Sequence, residues 1–269
     1  MVTDLVQTSY ASESAPAGDN EDRFRAGENW ALVLDGAGRY PGRTGGCVHP
    51  VTWIVEHLAD HLAYKLTVHD RETLPYILAA AIRATMADHG PTCDLSDPLS
   101  PGAAVAILRT RGDLVEWLVL ADCAVVVEDA AGKHTVVIDD RVDHLPDAPV
   151  VDAEVRTYDP DYVATVRNRP GGFWVASTVP EAAGEALMGQ APLTEIRQAL
   201  LCSDGVTRLV ERHGWTWQAM FAVANDEGPQ ALIDEVRRAD GDHPRVRHWR
   251  GKIHDDATAA LCRFTGPEG

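Results

Sequence analysis

The sequence has no excess of basic residues, no long apolar run, no paired cysteines and no internal repeat. Each absence narrows what the chain can do. Of its 269 residues, 24 are Lys or Arg and 41 are Asp or Glu, a formal net charge of −17. That balance argues against nucleic acid as a partner, because contacts to a phosphate backbone need a basic surface. The seven tryptophans, among them Trp215 and Trp217, lack interleaved Lys and Arg and are expected in the core or at its rim. No apolar run approaches the roughly 18 residues of a membrane span. The segment Met1 to Ser9 also lacks the basic-then-apolar order of a secretory signal. A soluble cytoplasmic protein with no membrane partner is expected.

Cysteine is scarce and scattered, at Cys47, Cys93, Cys123, Cys202 and Cys262. An odd number without a CxxC pair predicts neither a disulfide framework nor a zinc knuckle. Cys123, Cys202 and Cys262 lie in or beside apolar runs and read as small buried hydrophobes. Cys47-x-His49 is too short to count as a metal motif. His57 and His61 stand at helical i, i+4 spacing, but Leu58 occupies the place where a metalloprotease needs its Glu, and no third ligand is evident. A solvated helix face is the expectation there.

What is present is enough apolar sequence for a large core: 45% of residues are hydrophobic and 24% charged. The length reads as one domain over residues 1–269. Trp30 to Leu34 is a short apolar run predicting a buried strand, stopped by a turn at Asp35-Gly36-Ala37-Gly38. Helical spacing of Val51, Ile54, Val55, Leu58, Leu62 and Leu66 predicts a helix from His49 to about Leu66, and a second runs from about Glu72 to His89. Short β-prone runs follow at Ala103–Leu108, Leu114–Leu120, Ala124–Val127 and His134–Ile138. Residues 142–172 are weakly patterned, a variable flap-like excursion with one helix near Tyr162 to Val166. Phe173 to Ala176 reads as a strand and Pro180 to Met188 as a short helix. The remainder reads as a strand (Ile196–Cys202), three helices (about Val206–Arg212, Thr216–Ala224 and Pro229–Arg238) and a last strand (Ala257–Phe264). This order predicts an α+β fold, an α-β-β-α sandwich of two antiparallel sheets flanked by helix pairs.

Acidic clusters sit where those strands begin or end: Asn20-Glu21-Asp22, Asp35-Gly36, Ala121-Asp122, Ser203-Asp204-Gly205 and Asp255-Asp256. Taken singly, Asp-Gly is a turn and Ser-Asp-Gly a helix cap. Taken together and in order, they resemble the protein phosphatase 2C (PPM) family over essentially the whole chain. That family has Asn-Glu-Asp near its start, a strand ending in Asp-Gly-x-Gly and a mid-chain Gly-Asp-Ser turn. Its later motifs are Ser-Asp-Gly and an Asp-Asn/Asp-x-Thr before the final strand. Here the matching late segments read Leu201-Cys202-Ser203-Asp204-Gly205 and Asp255-Asp256-Ala257-Thr258.

The resemblance implies two divalent cations, Mn²⁺ or Mg²⁺. Asp35 would bridge them, the Gly36 carbonyl would complete one shell, and Asp204 and Asp255 would bind the second. Glu21 and Asp22 would hold metal-bound waters, and Asp122 matches a weaker third-cation site. Carboxylate and water ligands suit these hard ions. It also implies hydrolysis of a phosphomonoester by metal-activated water, without a protein nucleophile. The substrate would be a phosphoserine or phosphothreonine protein, alternatively a small phosphorylated metabolite. A catalytically silent partner-binding module of the same fold is the third reading.

The match departs from the family at three kinds of position. Ala17 stands where the family has a phosphate-gripping Arg; Arg39 and Arg43 are candidates to replace it, or else are solvated loop arginines. Ala121 and Cys123 replace the Gly and Ser of the mid-chain turn. Ala37 stands where animal members often carry a His. His254 adjoins Asp255, where it could assist proton transfer or sit at the surface.

Overall fold

Side-chain alternation decides how the strands stack. In β1 (Val6–Glu13), β2 (Arg23–Ala26) and β3 (Trp30–Ala37) the chain starts one strand in one sheet and two in the other. Along β3, Ala31 and Val33 enter the layer between the sheets, while Trp30, Leu32 and Leu34 face the helices. The chain continues through α1 (Val51–Val68), α2 (Leu74–Asp88), β4 (Gly102–Arg111), β5 (Leu114–Leu120), β6 (Ala124–Asp129), β7 (His134–Ile138) and α3 (Pro160–Val166). A 3-10 turn at Pro180–Glu185 precedes β8 (Leu187–Pro192) and β9 (Ile196–Cys202); then come α4 (Asp204–Glu211), α5 (Trp217–Asp226), α6 (Pro229–Asp242) and β10 (Ala257–Phe264). The computed structural model describes residues 6–16, 18–38, 40, 42–43, 45–145, 149, 158–242 and 254–264.

Two five-stranded antiparallel sheets result, ordered β1-β10-β9-β6-β7 and β2-β3-β4-β5-β8. One apolar layer lies between them, with Val33, Ala106, Val119, Val125, Leu201 and Ala260 at its heart. A second layer joins β3, β4 and β5 to α1 and α2, and a third joins the other sheet to α4, α5 and α6. This is the expected α-β-β-α sandwich. The buried stripe of α1 is the predicted one with Ala59 added, and Thr73 caps α2 by accepting from the Tyr76 N–H at 3.4 Å.

Several local expectations are corrected. β3 does not stop at Leu34: Asp35 and Gly36 are paired strand residues opposite Ala104 and Ala103, so the Asp-Gly is no turn. Phe173 to Ala176 forms only isolated bridges, to Arg167 and Ala103. Pro180 to Met188 is a 3-10 turn running into β8 rather than one helix. Within the excursion, α3 is present; residues 146–148 and 150–157 lie outside the described residues.

The register brings the important ends to one rim. Asp35 faces Ala104, Leu120 faces Val105, and Cys202 lies between Ala259 and Ala124. The ends of β3, β5 and β9 therefore meet the starts of β4, β6 and β10. Among the described residues, no helix is long and apolar enough to cross a membrane.

Candidate metal centre

Asp35 continues the Ala31, Val33 alternation, which aims its carboxylate between the sheets at that rim. Burial first, then the charges of Asp22, Asp204, Asp122 and Asp255, hold its carboxyl well above the ordinary range. Asp35 keeps a solvent-facing side, which tempers the effect of burial; the four like charges push the same way. Four carboxylates placed far apart in the sequence thus act on one. Gly36 is required by space: a Cβ there would lie 2.6 Å from Val51 Cγ1 and 2.9 Å from the Glu21 carbonyl oxygen. Glu21, itself buried, packs directly over this glycine.

Ser203 stands at the N-cap of α4 but makes no side-chain cap bond. Its hydroxyl instead donates to Asp22 Oδ2 at 2.7 Å and accepts from the Thr258 N–H at 2.9 Å. The expected cap is given up to tie β9, β10 and the Asp22 loop together. The following peptide N–H, from Asp204, points at Asp35 Oδ2 across 3.4 Å. Gly205 lets α4 come this close, since a Cβ would fall 1.9 Å from the Asp256 carbonyl oxygen. Asp22 is buried, and its Oδ1 has no hydrogen-bond partner. Burial pushes its carboxyl up to about 7, against hydrogen bonds from Ser203 and Thr258 that favour the charged form; the charges of Asp204 and Asp256 add to the rise.

The acidic pair before β10 divides its work. Asp256 accepts from the Ala15 and Glu21 N–H groups, both at 2.7 Å, and so anchors the N-terminal loop. Asp255 keeps its carboxylate at the rim, where Arg208 donates to it at 2.7 Å. Arg208 is 1% exposed and also faces Asp204 at 3.8 Å and Asp240 at 3.9 Å. Burial works against its charge, but the three carboxylates more than offset this and raise its pKa. Behind it, Asp240 pairs with His213 at 2.8 Å. Nothing in the motif pattern marked Arg208 or Asp240; only helical i, i+4 spacing from Asp204 hints at the former. His254 lies 3.7 Å from Asp240, so it faces that buried carboxylate.

Asp122 joins the group through its charge on Asp35. The residue before it, Ala121, adopts φ 63°, a left-handed conformation that glycine takes without a Cβ penalty. Ala121→Gly should therefore stabilise the fold by about 1 kcal/mol, read as a higher midpoint in denaturant; an unchanged or lower midpoint would show the strain is absent. Arg43 is exposed and pairs with Asp161 of α3 rather than with the acidic group. Arg39 and Ala17 lie outside the described residues.

The donor set fits hard cations. Carboxylates from five segments repel one another, and Asp22 Oδ1 is buried without a donor. Divalent ions that retain waters need few direct carboxylate contacts, so the oxygens can stand well apart. A pH signature follows in chelator. Asp22 and Asp35 have folded pKa values above their unfolded ones, so their protonation favours the folded state. That stabilisation is complete below the unfolded value; for Asp22 it is lost as pH rises through about 7, and for Asp35 it is lost above the ordinary carboxylate range. Thermal melts without metal should fall from about pH 5 to about pH 8, by an amount on the order of a few kcal/mol. Added Mn²⁺ should remove the trend; a metal-free protein equally stable across that range would contradict it.

A second cluster of metal-ligand residue types lies elsewhere. Among the described residues, the one group of three or more His, Cys, Asp or Glu whose ligand atoms all lie within 4.8 Å is Cys47, His49, His89 and Cys93. Cys47-x-His49 is too short a motif by itself, and His89 and Cys93 complete the set from the far end of α2. His57 and His61 do not join it: His57 donates to the Trp53 carbonyl at 2.9 Å, and His61 meets Asp88 at 2.6 Å.

A family model described as protein phosphatase 2C matches residues 6–237. Solved structures with this fold include the Mycobacterium tuberculosis serine/threonine phosphatase PstP/Ppp, 18% identical, TM-score 0.61, over 97% of this chain and 100% of that one. The catalytic domain of a serine threonine protein phosphatase PstP, in complex with 2 manganese ions, is 17% identical, TM-score 0.58, over 98% and 100%. The PPM Ser-Thr phosphatase MsPP from Mycobacterium smegmatis, in complex with cacodylate, is 14% identical, TM-score 0.58, over 98% and 100%. At these identities the likeness is one of fold. No protein of curated function matches the sequence.

Proposed function

Because the chain belongs to the protein phosphatase 2C family, whose model spans residues 6–237, we propose that it is a metal-dependent phosphomonoester hydrolase acting on phosphoserine or phosphothreonine proteins. The observation that carries this is the convergence of Asp22, Asp35, Asp122, Asp204 and Asp255 on one rim, with Asp35 pushed up first by burial and then by the other four. Cations bound among these carboxylates would relieve their mutual repulsion.

In this proposal Asp35, the Gly36 carbonyl, Asp204 and Asp255 would hold two Mn²⁺ or Mg²⁺ ions, with Asp35 shared between them. Glu21 and Asp22 would hold waters bound to those ions, and Asp122 would serve a weaker third ion. When bound, the ions supply an acidified water and neutralise phosphate oxygens. The chain does the positioning. Ser203 fixes Asp22, Asp256 fixes the backbone carrying Glu21, and Arg208 orients Asp255 from behind. Arg43 is the proposed phosphate contact; its exposed pair with Asp161 is worth little and can yield to a dianion. Arg39 is the other candidate for that contact.

The test is hydrolysis of p-nitrophenyl phosphate and of phosphopeptides in Mn²⁺, Mg²⁺ and chelator. Metal-dependent turnover of phosphopeptides supports the proposal. Turnover of small phosphoesters alone would move the substrate to a metabolite. No turnover on any substrate would leave a silent partner-binding module, a reading that Arg208 favours because it already places one positive charge between Asp204 and Asp255.

A further inference from the structure

We propose that Cys47, His49, His89 and Cys93 form a closed tetrahedral zinc site, separate from the carboxylate centre, that staples two loops of the rim together. The pieces meet because α1 and α2 are an antiparallel pair, so the residues entering α1 stand beside those leaving α2. Cys47 and His49 come just before Val51, and His89 and Cys93 just after Asp88.

The spacings among Cys47, His49 and Cys93 are those of a metal shell, and His89 brings a ligand atom within 4.8 Å of all three. A tetrahedral zinc with Zn–S of about 2.3 Å and Zn–N of about 2.05 Å sets S···S near ~3.8 Å and S···N near ~3.6 Å. In the structure Cys47 Sγ and Cys93 Sγ are 3.7 Å apart, and His49 Nδ1 lies 3.5 Å from the first and 3.4 Å from the second. The fourth ligand is prepared by its tautomer: His89 Nδ1–H donates to the Thr85 carbonyl at 2.8 Å, leaving the Nε2 lone pair free. Trp53 stacks on His49 at 3.9 Å and meets His89 edge-on at 4.8 Å, fixing both rings.

The chemistry balances. Two thiols lose their protons to solvent, and two thiolates with two neutral imidazoles make a site of zero net charge around Zn²⁺. Burial pushes the Cys47 thiol up and the His49 imidazole down. Soft sulfur donors select zinc over the Mn²⁺ or Mg²⁺ of the carboxylate centre. Four protein ligands leave no open position, which makes the site structural. What it holds is visible in the loops. The Asp94 N–H donates to the Gly46 carbonyl at 2.7 Å, Gly45 (φ 63°) lies against the Leu99 carbonyl, and Gly38 (φ 129°) lies against Pro101. Gly38 lies two residues beyond Gly36, just past the end of β3, so the staple steadies the strand end that bears the central carboxylate.

The test uses the full chain purified under reductant without added metal. Elemental analysis should find about one zinc per chain, retained in Asp35→Asn, and cobalt exchange should give thiolate charge-transfer and strong tetrahedral d–d bands. Cys47 and Cys93 should resist a thiol reagent until a chelator is added. Cys93→Ser or His89→Ala should weaken zinc binding by at least about a hundredfold. Should a variant fail to fold, the wild-type cobalt spectrum and thiol protection decide alone. A reduced wild-type chain that takes up no zinc, a Cys47–Cys93 disulfide in its place, or undiminished zinc affinity in Cys93→Ser would overturn the proposal.

Discussion

Asp35→Asn should abolish metal-dependent hydrolysis while making the metal-free protein more stable. The two effects have one cause. Asp35 sits among Asp22, Asp122, Asp204 and Asp255, and in the absence of cations its charge is opposed by burial and by all four. An amide of the same shape removes that repulsion, so melting in chelator should rise. The same change removes the proposed bridge between two ions. Loss of several kcal/mol of transition-state stabilisation predicts a fall of at least about a thousandfold in turnover. Stability gained with activity lost separates a ligand from a residue that merely supports the fold. A variant less stable in chelator and fully active with Mn²⁺ would remove Asp35 from the site.

Arg208→Met carries the second large effect, of opposite sign in stability. The guanidinium is 1% exposed, with Asp255 at 2.7 Å, Asp204 at 3.8 Å and Asp240 at 3.9 Å. Methionine fills similar volume but leaves three carboxylates without their internal cation. Removing one partner of a buried ion pair costs about 3–5 kcal/mol. Denaturant unfolding should show a loss of that order in chelator, with Mn²⁺ restoring part of it by supplying the missing charge. If the loss were no larger with metal absent than with metal present, Arg208 would be uncoupled from the cation site.

Much of the fold was legible because the central strands and both helix pairs carry strong patterns. The stripe of α1, the buried runs of β4, β5, β6 and β9, and the final strand stand where periodicity places them. Three edge strands were not read. β1 is polar, with Tyr10 exposed; β2 has four residues; β8 contains Gly189 and ends at Pro192. A strand with one neighbour needs no apolar run, so periodicity has nothing to register.

The acidic positions were legible because each lies inside a short motif at a strand end. The geometry then changed what some of them mean. Asp35-Gly36 is strand rather than turn, Ser203 serves Asp22 rather than its own helix, and Asp256 holds backbone while Asp255 faces the rim. Arg208 and the Cys-His cluster escaped for a different reason. Their partners come together only through tertiary packing, Arg208 with Asp255 across 47 residues and Cys47 with Cys93 across 46. Local spacing cannot show such meetings.

The central claim is that this rim holds two divalent cations on Asp35, Asp204 and Asp255. Anomalous scattering from crystals grown in Mn²⁺ tests it most directly. Two peaks bridged by the Asp35 carboxylate, the second also touching Asp204 and Asp255, is the predicted result. No manganese at Asp35, with Arg208 alone balancing Asp204 and Asp255, would contradict it.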